Sequence, residues 1–291
     1  MSNLVFSFSD TKELAFSVAK KIKAKYETIN LEKFPDGEVN MDIKTNPKGK
    51  TIILVSSMAL SPNEKIIETI LAGGILKDYG AKKIILVATY FPYLRQDIHF
   101  YKYDSFSSRY ITKMFSLFDK IITIDPHLHR IKNMKKWGSN FTHITANELV
   151  ANFIKEKFKK NFTVLGPDGE SSQWDKPIAK ILGKKVIVLK KHRYNSKKIK
   201  VHEEKNQKVE KNVILVDDII STGKTLAGAI NLAKKQGGKN FFCIAIHGPL
   251  TKEASKLISK KAKLITTNTI STKYSKVDVS PIIVKELKKI L

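Results

Sequence analysis

Two stretches of the chain repeat one another, and this repeat limits the available folds more than any other feature. Ile52–Ser57 reads IILVSS and Val213–Asp218 reads VILVDD. Each is an apolar run of strand length that leads through a loop into a helical pattern. Each helical pattern then leads to a second matched stretch: Tyr79–Pro92 reads YGAKKIILVATYFP, and Gln236–Pro249 reads QGGKNFFCIAIHGP. The two matches fall at nearly the same offset, as expected of one α/β unit duplicated in tandem. The boundary between copies is expected near residue 146, after His143-Ile144-Thr145.

The rest of the chain alternates in the same way. Short β-branched runs mark strands at Leu4–Ser7, Thr51–Ser56, Lys83–Ala88, Lys120–Ile124, Thr163–Leu165, Lys185–Leu189, Asn212–Val216 and Phe241–Ile246. Amphipathic segments mark helices at Thr11–Lys21, Asn63–Tyr79, Ser108–Phe118, Ala146–Lys159, Asp175–Leu182, Thr225–Gln236 and Thr251–Lys260. Such alternation argues for an α/β fold of mostly parallel sheets flanked by helices. The expected domains are residues 1–146, completed by the tail 276–291, and residues 147–275. A chain of 291 residues that is 42% hydrophobic has enough apolar material for two cores.

Composition narrows the partners. Cys243 is the single cysteine, which excludes an intrachain disulfide and a thiolate metal cluster and fits a reducing compartment. No apolar stretch reaches the roughly 18 residues of a membrane span, and the opening MSNLVFSFSD lacks a basic, then apolar, leader. A cytoplasmic protein without membrane partners is expected. Lys and Arg total 53 against 27 Asp and Glu, a formal charge of +26 that favours anionic ligands. The lysines are scattered and no aromatic–basic signature accompanies them, so phosphorylated small molecules are expected rather than nucleic acid.

The segment Val213–Thr225, VILVDDIISTGKT, carries the most chemistry. An apolar strand ends at two carboxylates, Asp217 and Asp218. Ser221, Thr222, Gly223, Lys224 and Thr225 then turn into a helix. Ligands of open parallel sheets bind outside the carboxyl ends of the strands. Hydroxyls and free N–H groups at a helix start form an anion site, while the acids accept hydrogen bonds from sugar hydroxyls. The pattern describes a ribose held between acids and a phosphate nest. It is not a Walker A loop, because the glycine required five residues before Gly223 is Asp218.

This segment resembles the phosphoribosyl-binding fingerprint of phosphoribosyltransferases and ribose-phosphate pyrophosphokinases. Further segments resemble the pyrophosphokinases. Phe34–Glu38 reads FPDGE, a turn by its own residues. The resemblance implies that this loop reaches a neighbouring subunit's ATP, with Phe34 beside the adenine and Asp36 and Glu38 hydrogen-bonded to it. Tyr90–Asp97, YFPYLRQD, resembles the family's Arg-Gln-Asp segment, which implies ATP contacts for Arg95, Gln96 and Asp97. After Asp97 the chain departs from the pattern: a basic run gives way to the mostly aromatic Ile98-His99-Phe100-Tyr101-Lys102-Tyr103. Asp125-Pro126-His127 resembles a family Asp-Leu-His and implies His127 near the metal and the phosphates; His129 falls outside the pattern. Gly166–Ser171 resembles a Pro-Asp-x-Gly loop and implies Asp168 as a magnesium ligand, although Glu170-Ser171 replaces small residues. Lys191 and Arg193 match a catalytic Lys-x-Arg, followed by the polar Tyr194–Lys200 as a lid.

The resemblance therefore implies two tandem phosphoribosyltransferase-like domains, Mg²⁺ as cofactor, ATP and ribose 5-phosphate as substrates, and a homodimer at least. The expected reaction is attack of the sugar O1 on the β-phosphorus of ATP. Ser221 stands where the family has an acid, and no general base is legible. A phosphoribosyltransferase and a non-catalytic regulatory homologue are the alternatives. The ATP loops speak against the first and the retained cations against the second.

Overall fold

The computed structural model describes residues 3–99, 101–128, 138, 140–158, 161–169, 171–193, 199–202 and 208–291; for 190–193 and 199–202 the description is of the backbone. The calls on Phe100, His129, Glu170 and residues 194–198 lie outside the described residues. The chain divides into two compact units. One comprises Met1–Thr145, Thr269–Ser271 and Val279–Leu291; the other comprises Ala146–Asn268 and Thr272–Asp278.

The first unit runs β1 (Asn3–Ser7), α1 (Lys12–Lys21), β2 (Lys25–Thr28), β3 (Asn30–Lys33), β4 (Val39–Asp42), β5 (Thr51–Ser57), α2 (Pro62–Asp78), β6 (Lys83–Tyr90), α3 (Ser107–Met114), β7 (Lys120–Ile124) and β8 (Phe141–Ile144). Six strands form a sheet in the order β2-β1-β5-β6-β7-β8, parallel throughout. β3 and β4 form a separate antiparallel hairpin.

The second unit runs α4 (Asn147–Lys157), β9 (Phe162–Gly166), α5 (Ser172–Ile181), β10 (Val186–Val188), β11 (Lys190–Arg193), β12 (Ile199–His202), β13 (Asn212–Ile219), α6 (Lys224–Lys235), β14 (Asn240–His247), α7 (Lys252–Ser259), β15 (Lys263–Thr267) and β16 (Ser275–Val277). Its sheet, β10-β9-β13-β14-β15-β16, is also parallel, and β11 and β12 form its antiparallel ribbon. The two strand orders match term by term, and each unit inserts its ribbon at the same point. IILVSS lies on β5 and VILVDD on β13, which hold equivalent places in their sheets.

Central parallel strands are covered on both faces and so read as unbroken apolar runs. In β5 every residue is buried, from Thr51 through Ser57. A last helix, α8 (Ser280–Leu287), belongs to the first unit and packs on α1. Ile283 and Leu287 are fully buried there, and Ser17 Oγ donates to Ser280 Oγ at 3.1 Å.

Several elements differ from expectation, and two of the differences bear on the core and the site. α3 stops at Met114 rather than at residue 118. Its continuation tightens into i to i−3 bonds, Phe115 N to Thr112 O and Phe118 N to Phe115 O. That tightening turns both Phe115 and Phe118 into the core, where Phe118 also meets α2 at Gly73. β13 runs on to Ile219, because its pairing with β14 continues as far as Ile219 opposite His247. Asp217 and Asp218 therefore stand within the last residues of the strand and not beyond it.

Candidate active site

In the second unit, β10, β9 and β13 are neighbours, so the segments leaving their carboxyl ends rise side by side. β9 opens into Pro167-Asp168-Gly169, β10 into the ribbon carrying Lys191 and Arg193, and β13 into Ser221–Thr225. Asp168, Asp217 and Asp218 come together electrostatically. Loss of hydration pushes the Asp217 carboxyl well above the usual carboxylate range, and the neighbouring charges of Asp218 and Asp168 push it further. Asp217 Oδ1 accepts from the N–H of Asp218 at 3.0 Å, and Asp218 Oδ1 accepts from the N–H of Ile219 at 2.8 Å.

The Asp168 loop is pinned from behind. Ser171 Oγ lies 2.7 Å from both the Asp168 carbonyl and Asp175 Oδ2, and the Ser171 N–H donates to Asp168 Oδ1 at 3.3 Å. Asp175 is fully buried, and burial raises its carboxyl, with the Asp168 charge adding to the rise and Ser171 opposing it. Gly166 is obligatory, since a Cβ there would stand 1.9 Å from Asp175 Oδ2. Sequence reasoning missed this support; the i, i+4 spacing of Ser171 and Asp175 was the signal for it.

The start of α6 is the candidate anion nest. Gly223 caps it at φ 70, where glycine is favoured, and a Cβ would meet Ile258 Cδ1 at 2.7 Å. No side chain caps this helix, so its first N–H groups lack intrahelical acceptors. Thr222 and Lys224 are exposed beside it, with Ser221 and Thr225 half-buried. The duplicated position in the first unit has diverged. Ser56 and Ser57 replace the two acids, and α2 begins at Pro62, which has no N–H. Lys65 is taken up there by Glu68 at 2.9 Å and Asp10 at 3.4 Å.

In the first unit, FPDGE forms the tip between β3 and β4. Phe34 N donates to Glu38 O at 2.8 Å, Gly37 N to Phe34 O at 2.9 Å, and Glu38 N to Asp36 Oδ1 at 3.1 Å. Phe34 is 45% exposed, and Asp36 and Glu38 face solvent. β6 and β7 are neighbours and lead into the Arg95-Gln96-Asp97 and Asp125-Pro126-His127 segments. Arg95 is exposed, Gln96 half-buried and Asp97 buried. Gln96 is held twice by α3: Ser107 Oγ donates to its Oε1 at 2.6 Å, and Ser108 N to its carbonyl at 3.2 Å. His127 is half-buried, two residues beyond Asp125, whose backbone turns at φ 34. Lys191 and Arg193 stand two apart on β11, in register with Val201 and Ile199.

Among the described residues, no three His, Cys, Asp or Glu side chains are disposed to hold a metal ion, and no helix is long and apolar enough to cross a membrane.

Comparison with known proteins covers nearly the whole chain. Residues 3–118 match the family model of the N-terminal domain of ribose phosphate pyrophosphokinase, and residues 139–281 match the phosphoribosyl transferase domain. A ribose-phosphate pyrophosphokinase of Pyrococcus abyssi is 32% identical over 259 residues, 88% of this chain and 89% of that protein. One from Pyrococcus furiosus is also 32% identical, over 90% of this chain and 92% of its own. The crystal structure of phosphoribosylpyrophosphate synthetase from Mycobacterium smegmatis superposes with a TM-score of 0.86 at 23% identity, covering 100% of this chain and 99% of that one, a likeness of fold.

Proposed function

The chain belongs to the ribose-phosphate pyrophosphokinase family, and on that premise we propose that it converts ATP and ribose 5-phosphate into 5-phosphoribosyl 1-pyrophosphate and AMP. The observation that carries this reading is the second unit's acid-ended strand running into an uncapped, glycine-started helix. It is joined in one chain to a first unit of the pyrophosphokinase type. A phosphoribosyltransferase needs only one such domain.

In this reading the 5-phosphate lies on the N–H groups and hydroxyls of Ser221–Thr225, with Lys224 adding charge. Asp217 and Asp218 accept hydrogen bonds from the ribose hydroxyls. Arg95, Gln96 and Asp97 serve ATP, Asp97 from a buried position by fixing the segment. Phe34, Asp36 and Glu38 meet the adenine of a neighbouring subunit's nucleotide, which makes a homodimer the minimal working form. The sugar O1 attacks the β-phosphorus, the bond from the α–β bridging oxygen to that phosphorus breaks, and AMP departs. The O1 proton leaves to solvent. Transfers of this kind depend on alignment and on neutralising charge over the non-bridging oxygens. Lys191 and Arg193 supply positive charge to those oxygens, and His127 lies against the phosphates.

The donor set suits magnesium. This ion favours oxygen ligands and is held by one or two carboxylates together with substrate phosphates rather than by an all-protein cage. Asp168 offers one such carboxylate, and a divalent cation there would relieve the repulsion it shares with Asp217 and Asp218. Asp168 is the principal protein ligand in this reading. When bound, magnesium neutralises and orients the triphosphate.

The direct test is ³¹P NMR of the purified protein with magnesium, ATP and ribose 5-phosphate. AMP and a sugar 1-pyrophosphate should grow together in equal amounts. Production of ADP, or of free pyrophosphate without the sugar product, would overturn the proposal.

A further inference from the structure

The aromatic turn after Asp97 has no part in the reading above, yet its described residues are held by several hydrogen bonds. At its base the rings of His99 and Phe106 meet edge to face, with centroids 5.7 Å apart. His99 Nδ1 lies 2.5 Å from the Asp104 carbonyl, and Asp104 N donates to the Tyr101 carbonyl at 3.1 Å, closing the turn. Ser105 N donates to Asp104 Oδ1 at 2.8 Å. Ser105 Oγ pairs with Ser107 Oγ at 2.7 Å, and Ser107 in turn holds Gln96. The turn is thus bound to itself and to the segment that serves ATP. At its crest it presents two large rings to water: Tyr101 is 80% exposed and Tyr103 92%. Tyr103 adopts φ 66, a region disfavoured for any residue with a side chain. Lys102 Nζ lies 5.0 Å from the centre of its ring.

Among the described residues, neither ring belongs to the core of the first unit. They face water on a braced turn, Tyr103 in a left-handed conformation, a few residues after Arg95. We propose that Tyr101 and Tyr103 are a stacking platform for the base of the nucleoside triphosphate whose phosphates Arg95 receives. This rests on the proposed function and deepens it. A tyrosine brings a broad rigid face with only two side-chain torsions to freeze. Stacking on it accepts any base, because every base has a π face, so the platform contributes affinity rather than choice of base. Lys102 covers Tyr103 from one side and leaves the rest of the ring accessible. The aromatic run after Asp97 then has a physical meaning: it offers ring faces to a base.

The test is steady-state kinetics on the full chain with Tyr103→Ala, the pair Tyr101→Ala/Tyr103→Ala, and Tyr101→Phe/Tyr103→Phe. The side chains are exposed, so the variants should fold. The KM for ATP should rise roughly tenfold in Tyr103→Ala and further in the pair, following the usual strength of base stacking. The phenylalanine pair should retain the wild-type value, with kcat and the KM for ribose 5-phosphate unchanged in all. Inorganic tripolyphosphate, which has the phosphates and no base, should inhibit wild type and the alanine pair equally. An unchanged KM for ATP in the alanine pair overturns the platform, as does weaker tripolyphosphate inhibition, which would assign the loop to phosphate. If the wild type forms no AMP, the pyrophosphokinase reading fails. The platform is then decided separately by calorimetric titration of ATP into wild type and the alanine pair, equal affinity overturning it.

Discussion

Lys191 and Asp175 mark the two kinds of charge this protein manages at single residues. In the proposed function Lys191 meets charge that develops on the transferred group. Its replacement by alanine should lower kcat by roughly 10²- to 10³-fold, about 3 to 4 kcal/mol, as for loss of one preorganised donor. ATP binding measured by calorimetry should remain largely intact; unchanged turnover would remove Lys191 from the mechanism. Asp175 is the opposite case, a buried acid with one oxygen, Oδ1, lacking a protein partner. Ser171 has one proton for two acceptors at 2.7 Å, the Asp168 carbonyl and Asp175 Oδ2. Burial raises the Asp175 carboxyl above its ordinary 3.8. Folding therefore binds this proton more tightly than the unfolded chain does, and the sign follows. The stabilising contribution is fully present below the unfolded value near 3.8 and is lost as pH rises through the raised folded value. Asp175→Asn should then be more stable than wild type at neutral pH and should show a flatter stability profile across that window. Urea denaturation at a series of pH values measures both.

Long apolar strands were legible in the sequence, as was the short edge strand β10, whereas the interior β15 and several short strands were not. β1, β5, β6, β7, β9, β13 and β14 all announce themselves as apolar runs, whereas β2 (KYET), β8 (FTHI) and both ribbons are short, mixed in character and indistinguishable from loop. The site divides in the same way. The acids, the glycine and the hydroxyls of β13 and α6 were readable by residue type. The burial of Asp97 and the grip of Ser107 on Gln96 were not, because each depends on contacts made only once α3 is in place. Gly223 was readable as part of the nest, but its contact with Ile258 of α7 was not. Gly223→Ala should lose about 1–2 kcal/mol from the left-handed backbone alone, before the clash. Both a lower thermal midpoint and a higher KM for ribose 5-phosphate are expected. The β3–β4 hairpin permits a sharper experiment. If its tip serves a neighbour, mixed dimers of the inactive variants Phe34→Ala and Lys191→Ala contain one intact site. Co-refolding the two should then recover activity. No recovery from dimers shown to have mixed would return Phe34 to its own chain's site.

The molecule as a whole repeats one unit, and the two copies differ at one strand end. Asp217 and Asp218 stand just before the end of β13, at the places held by Ser56 and Ser57 in β5. Shared architecture with divergent loops is the usual way one fold supports two tasks. The excess of positive charge, formally +26, acts at the same scale. It should draw anionic substrates, so kcat/KM for ATP should fall as potassium chloride is raised, with kcat little altered. A flat salt response would leave the charge without a kinetic role. The first unit is also stitched together from distant parts of the chain, with α8 of residues 280–287 laid against α1 of residues 12–21. A ribosome delivers those two helices with the entire second unit between them. The apolar face of α1 that awaits Ile283 and Leu287 must therefore stay unclosed throughout translation of roughly 260 intervening residues, some tens of seconds at ordinary elongation rates. For this protein, the half made first is the half finished last.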